Sequence, residues 1–263
     1  MVLLRIGIIG TGNLGASLAK ALVEHGSILA QEIGIYNRTP AKAWILQEEY
    51  GCKVYATVEN LIEDVPVVIL AVRLSDAHSL LQMPIWGKSP LLLSAVGGLG
   101  LKRLEQWVPS PVVRFLPSVT LPTGRGTLLF SSGTRVASVT EMAIRTLMKG
   151  VGQSLFVPEE DLRIASDLTS CGPGFLGALL NEMVKSASER TSLPASVLRQ
   201  MVTETAIAFG QLLDQGKTPE QICRTVAVPG GVTEAGLKTL VPLSSQLWRE
   251  TFTATAEYEH KKM

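Results

Sequence analysis

Three groups of residues in this 263-residue chain have types and spacing suited to chemistry. The first is Gly10-Thr11-Gly12-Asn13-Leu14-Gly15, a G-x-G-x-x-G that follows a β-branched run at 5–9 and opens a helical pattern. In that context each glycine has a task. Gly10 makes the tight turn, Gly12 lets a pyrophosphate approach the backbone, and Gly15 lets the helix pack close to the strand. The phosphates would lie on the helix N-terminus, where unpaired N–H groups favour negative charge. The second group is Asn37-Arg38-Thr39, at the end of the next predicted strand. Enzymes that use NAD usually carry an acid there, whereas a guanidinium can pair with a 2′-phosphate. NADP(H) is therefore the expected cofactor, and a turn with a solvated arginine is the alternative. The third group is Val228-Pro229-Gly230-Gly231-Val232-Thr233. Two consecutive glycines before a helix-capping threonine form a backbone concavity that can hold a carboxylate, or else a plain Gly-Gly turn.

The remaining composition narrows the chemistry. The formal net charge of +1 offers no electrostatic case for nucleic acid or an anionic membrane, and no apolar run reaches the length of a membrane span. The three cysteines, Cys52, Cys171 and Cys223, are scattered and odd in number, without zinc spacing or a disulfide framework. They point to a reducing cytoplasm, and a strand that begins almost at the N-terminus leaves no room for a signal peptide. His25, His78 and His260 read as surface residues, so no metal site is expected.

Strands alternate with helices through the first half. A helix with Leu14, Leu18, Ala21, Leu22 and Val23 on its apolar side closes at Gly26. Strands are predicted at 32–36, 53–55, 65–72, 91–94 and 112–115, and helices at 40–50, 57–63 and 136–148. Two further strands, at 126–130 and 152–157, extend the sheet near its edge. The continuous apolar run at 65–72 is what a parallel strand buried on both faces looks like. The segment after it, Arg73-Leu74-Ser75-Asp76, lies at a strand C-terminus, where ligands bind in doubly wound sheets.

From residue 159 strand patterns vanish. A helix at 159–170 is interrupted at Cys171-Gly172-Pro173-Gly174, where proline enforces a kink or break. Phe175, Leu179, Met183 and Val184 resume an apolar face. Leu198, Met201 and Phe209 continue it after Pro194, and Thr218-Pro219-Glu220-Gln221 reads as a capping box. Met183 and Met201 are read as core filling rather than cofactor contacts. A short helix is expected at 234–240. So much apolar surface in so few residues points to burial against another subunit. The expected fold class is α/β: an N-terminal Rossmann-type doubly wound sheet at 1–157, then an all-α dimerisation and substrate-site domain at 158–263.

Several segments in order along the chain resemble the pyrroline-5-carboxylate reductase family. They are 7–15, Asn37-Arg38-Thr39, Ala71-Val72-Arg73, 113–118 (ending in Pro117-Ser118), 170–175 and 229–233. The resemblance implies reduction of a cyclic imine to proline by NADPH, in a homodimer or higher homo-oligomer whose site is shared between subunits. It implies cofactor contacts from 10–15, 37–39, 71–73, Pro117 and Ser118. It also implies substrate contacts from Gly230, Gly231, Val232, Thr233, Glu204 and Thr205. The chain departs from the family pattern in three places. Ser118 stands where asparagine is usual, Ala227-Val228 where Thr-Ser is usual, and Glu204 where the Gln-Thr motif has glutamine. The Ser-Cys-Gly-Pro and Pro-Ser variants are more similar to the late-competence branch of the bacterial relatives.

Imine reduction asks little of the protein beyond orientation, which can recover roughly 7–11 kcal/mol of a barrier. Thr233 is the candidate to donate or relay a hydrogen bond to the imine nitrogen, and a plain N-cap is its other role. Two alternatives stay open. One is a dinucleotide-binding regulatory protein with a weakened substrate pocket, suggested by Val228 and Ser118. The other is a hydroxyacid dehydrogenase-like enzyme, for which Lys185 is the only nearby acid/base lysine.

Overall fold

The structure, a computed structural model, describes residues 6–88 and 90–260. Arg5, at the head of the first predicted strand, and the last three residues of the helical half lie outside the described residues. Eight strands form one sheet: β1 (Ile6–Ile9), β2 (Ile33–Tyr36), β3 (Lys53–Val54), β4 (Val67–Leu70), β5 (Leu91–Ser94), β6 (Val112–Leu116), β7 (Thr127–Ser132) and β8 (Gln153–Phe156). Their order is β3-β2-β1-β4-β5-β6-β7-β8, with only the β6–β7 pair antiparallel. Strand order reverses between β1 and β4, which places a crevice at their C-terminal ends.

Helices α1 (Asn13–Glu24), α2 (Pro40–Tyr50), α3 (Val58–Asp64), α4 (Leu74–Leu81), α5 (Leu101–Trp107), α6 (Ser138–Leu147) and α7 (Leu162–Thr169) cover the sheet. Strand alternation divides the core in two. Ile6, Ile8, Ile33, Ile35, Val67 and Ile69 pack with α1, α2 and α6, while Ile9, Val68 and Leu70 pack with α3, α4 and α5. Gly7 is small for a reason: a Cβ there would lie 2.4 Å from Leu61 of α3. On α2, Ala43 and Leu46 take the buried positions and Trp44 is exposed. The sequence reading did not resolve α4 and α5, the two short helices after β4 and β5.

The chain separates into two compact units, one running to Cys171 and taking the chain back from Tyr258, the other Gly172–Glu257. The break near Pro173 is real: α7 ends at Thr169 and α8 (Gly172–Ser188) starts afresh, with Pro173 in its first turn, where a missing N–H costs nothing. The second unit continues with α9 (Ala195–Asp214), α10 (Pro219–Val226) and most of α11 (Val232–His260). The capping box of α10 is formed, with Gln221 N–H donating to Thr218 Oγ1 at 3.2 Å and Thr218 N–H to Gln221 Oε1 at 2.9 Å. The short helix expected at 234–240 is in fact the start of α11, which is 29 residues long and carries Pro242 inside it. A proline removes one ladder bond, and here the helix continues on both sides of it.

Candidate functional site

At the C-terminal ends of β1 and β2 the sequence motif becomes a backbone cradle. Gly10 adopts φ +98° and donates its N–H to Tyr36 O at 2.8 Å, tying the turn to the end of β2. A Cβ on Gly10 would meet Ala71 O at 2.5 Å, and one on Gly15 would meet Gly10 O at 1.9 Å, so both positions exclude any side chain. Gly12, the N-cap of α1, is the opposite case: an added Cβ would find nothing within 4 Å. The space beside it is open, at the end of a helix whose first N–H groups have no intrahelical acceptor. Thr11 Oγ1 is buried there without a hydrogen-bond partner among the described residues. A glycine-walled space with an unpaired hydroxyl fits a dinucleotide pyrophosphate. Asn13 and Leu14 form the first turn of α1, with Asn13 exposed and Leu14 half-buried.

Asn37 holds this cradle to its neighbour. Its Oδ1 accepts the Thr11 N–H at 2.9 Å, and its Nδ2 donates to Thr39 O at 2.9 Å. Arg38 projects into solvent from the end of β2 and pairs through Nη1 with Asp76 Oδ1 at 2.8 Å. Asp76 lies in the first turn of α4, which Arg73 caps by accepting the N–H groups of Asp76 and Ala77, both at 3.0 Å. Ala71 and Val72 lie half-buried between β4 and that helix, with Ala71 N–H donating to Ile9 O at 2.8 Å. The C-terminal ends of β1, β2 and β4 therefore bring together 10–15, 37–39 and 71–73.

Pro117 and Ser118 follow β6 at the same edge. Ser118 is only 2% exposed, and its hydroxyl turns inward, donating to Thr169 O at 3.2 Å and accepting the Thr120 N–H at 3.3 Å. The side chain that replaces the family's asparagine is thus engaged by the protein. Sequence reasoning passed over Ser94, whose buried Oγ has no partner among the described residues at the end of β5. A polar residue closing an otherwise apolar strand was the available signal. The same reasoning placed Asp76 in a segment where ligands bind, but gave no sign of its contact with Arg38.

In the second unit, Gly230 takes φ +73°, and Gly231 N–H donates to Val228 O at 2.9 Å. Gly231 O accepts the Ala235 N–H at 3.2 Å, so Gly231 stands at the cap and Thr233 falls inside the first turn of α11. The cap role expected for Thr233 is corrected accordingly, because the helix begins two residues earlier than the threonine needs. Among the described residues the Thr233 hydroxyl has no hydrogen-bond partner. Glu234 Oε2 accepts the Gly230 N–H at 2.8 Å and lies 3.7 Å from Lys238 Nζ. Val232 is exposed, and Val228 is 58% exposed. On α9, Glu204 is exposed and Thr205 Oγ1 donates to Met201 O at 2.8 Å.

Comparison with known proteins follows the same division. Residues 5–94 match the family model described as NADP oxidoreductase coenzyme F420-dependent, and residues 159–261 match the pyrroline-5-carboxylate reductase dimerisation model. ComE operon protein 4 of Bacillus subtilis is 30% identical, over 96% of this chain and 94% of its own length. Pyrroline-5-carboxylate reductase 2 of the same organism is 25% identical, over 90% and 86%. The chain belongs to the pyrroline-5-carboxylate reductase family. A Plasmodium falciparum pyrroline carboxylate reductase with NADP bound shares the fold, with a TM-score of 0.79 at 21% identity over 100% of this chain and 97% of that one. The N-terminal unit is thus an NADP(H)-type Rossmann domain, and the helical half is a dimerisation domain of a homo-oligomer. Among the described residues, no helix is long and apolar enough to cross a membrane, and no three His, Cys, Asp or Glu side chains are grouped to hold a metal.

Proposed function

We propose that this chain reduces the C=N bond of a small cyclic imine with NADPH, with pyrroline-5-carboxylate as the reference substrate and proline as its product. The observation that carries the reading is the open space beside Gly12, framed by Gly10 and Gly15 and followed by an arginine at the end of β2. When bound, the nicotinamide supplies the hydride. The chain's own part is to bind and orient. Backbone N–H groups of the 12–15 turn hold the pyrophosphate, Asn37 fixes that turn, Arg38 meets the 2′-phosphate, and the 71–73 and 117–118 segments border the cofactor. In the helical unit, the 230–233 turn receives the substrate, with Glu204 and Thr205 of α9 also facing it in an assembly where subunits share the site. Thr233 donates a hydrogen bond to the imine nitrogen as it takes up a proton. Orientation of this kind supplies most of the acceleration that imine reduction needs.

A second reading has a specific observation behind it. The Gly230 N–H is already satisfied by the Glu234 carboxylate, and Val228 offers no donor where the family has serine. Both features weaken the grip on a substrate carboxylate and favour a slow enzyme or a dinucleotide-binding regulatory protein. The test is loss of NADPH absorbance with the purified full chain, supplied with pyrroline-5-carboxylate and with carboxylate-free cyclic imines. Turnover of any of them supports the reductase. Tight NADPH binding with no turnover across the panel favours the regulatory protein.

A further inference from the structure

We propose that Asp76 sets the coenzyme preference of this chain by restraining Arg38, so that the carboxylate missing from the end of β2 is restored in space by α4. The proposal rests on the assignment of Arg38 to the 2′-phosphate. Asn37-Arg38-Thr39 contains no acid, and by sequence alone the site is expected to take NADP(H). The fold alters that. Parallel pairing of β1 with both β2 and β4 sets the C-terminal ends of the two flanking strands on either side of the glycine turn. The first turn of α4 then carries Asp76 to the Arg38 guanidinium, Nη1 to Oδ1, at 2.8 Å.

The pair is unequal. Arg38 is 81% exposed and Asp76 35%, so the carboxylate is the more enclosed of the two. An incoming 2′-phosphate has to bind Arg38 while the carboxylate remains beside it, or displace that contact. Either way a phosphate carrying nearly two negative charges meets the Asp76 carboxylate at a few ångströms. That repulsion persists at physiological ionic strength, because the separation is shorter than the Debye length of about 8 Å. Holding an exposed arginine in place helps little in return, since surface ion pairs contribute little. A 2′-hydroxyl carries no charge and meets no such penalty. Asp76 thereby narrows the gap between NADPH and NADH.

The experiment is calorimetry of NADPH, NADH, 2′,5′-ADP and 5′-AMP against the full chain and the variants Asp76→Asn, Arg38→Ala and the double variant. Asp76→Asn keeps the size of the side chain and its place in the helix. We expect it to tighten NADPH and 2′,5′-ADP by about threefold to tenfold, leave NADH and 5′-AMP within about twofold, and lose its effect in the Arg38→Ala background. An unchanged NADPH-to-NADH ratio in Asp76→Asn, while Arg38→Ala abolishes the preference, overturns the role of Asp76 and leaves Arg38 as the phosphate contact. A preference that survives Arg38→Ala overturns both. Weaker NADPH binding in Asp76→Asn also overturns the proposal, since it would make Asp76 a support for Arg38.

Discussion

The carboxylate of Glu234 sits on the backbone N–H of Gly230 at 2.8 Å, so the turn that should receive a substrate anion holds an anion of its own. The sequence shows both residues but not their contact, because a helical glutamate four residues on could equally face solvent. A substrate carboxylate bound at this turn, as proposed above, would have to displace Glu234 or lie beside it, and Lys238 at 3.7 Å would offset only part of the repulsion.

Glu234→Gln keeps an acceptor for Gly230 and removes the charge. It should lower the apparent KM for pyrroline-5-carboxylate by about threefold to tenfold and leave kcat nearly unchanged. The KM for a carboxylate-free cyclic imine should not move, which separates charge relief from a general change in the loop. Steady-state kinetics on the two substrates side by side make the comparison. A KM that rises for both would show that Glu234 shapes the turn instead of blocking it.

Gly12 and Gly15 belong to one motif but should fail differently. Gly15→Ala forces a Cβ to 1.9 Å from Gly10 O, so it should destabilise the domain by about 3 kcal/mol or more, read as a lower urea midpoint. Gly12→Ala meets nothing within 4 Å, so the protein should fold normally and lose affinity for NADPH at least tenfold by calorimetry. Normal binding by Gly12→Ala would move the pyrophosphate away from this turn.

Ser118 was assigned to the cofactor by resemblance, and its geometry now supplies a sharper expectation. With its hydroxyl bonded to the half-buried Thr169 and Thr120, Ser118→Ala should cost about 0.5–1.5 kcal/mol of stability through the lost hydrogen bonds. NADPH affinity should stay within about twofold if the hydroxyl has no contact with the cofactor. Urea denaturation and calorimetry on the same preparation test both halves.

What the sequence disclosed follows from how local each determinant is. The glycine turn, β1, β2 and the buried β4 were legible because strand, turn and helix signals stand next to one another. The capping box at Thr218 and Gln221 was equally local. The helix from Val232 to His260 was cut short because proline is a strong stop signal, and only continuation on both sides of Pro242 shows that it was tolerated. Val65, Ala71 and Val72 look like strand by apolarity alone, but the ladder spans only Val67–Leu70. Arg38–Asp76 and Glu234–Gly230 were not legible. The first joins residues 38 positions apart through strand order, and the second depends on one rotamer.

The last expectation concerns assembly. In the helical unit, Leu179, Met183, Met201 and Phe209 are exposed, whereas Leu198 is already buried. About half the surface of each is in water, so leaving the four uncovered forgoes about 1 kcal/mol each. In an isologous dimer every one of them is buried twice, so a single polar substitution is also felt twice. Met183→Glu combined with Met201→Glu should raise the dimer dissociation constant by about a hundredfold or more. Light scattering should then show a monomer for the variant at micromolar concentration and a dimer or larger for the parent. Circular dichroism must report the same helix content in both, so that loss of assembly is not confused with loss of fold. A parent chain that scatters as a folded monomer under those conditions would refute burial of this face between copies.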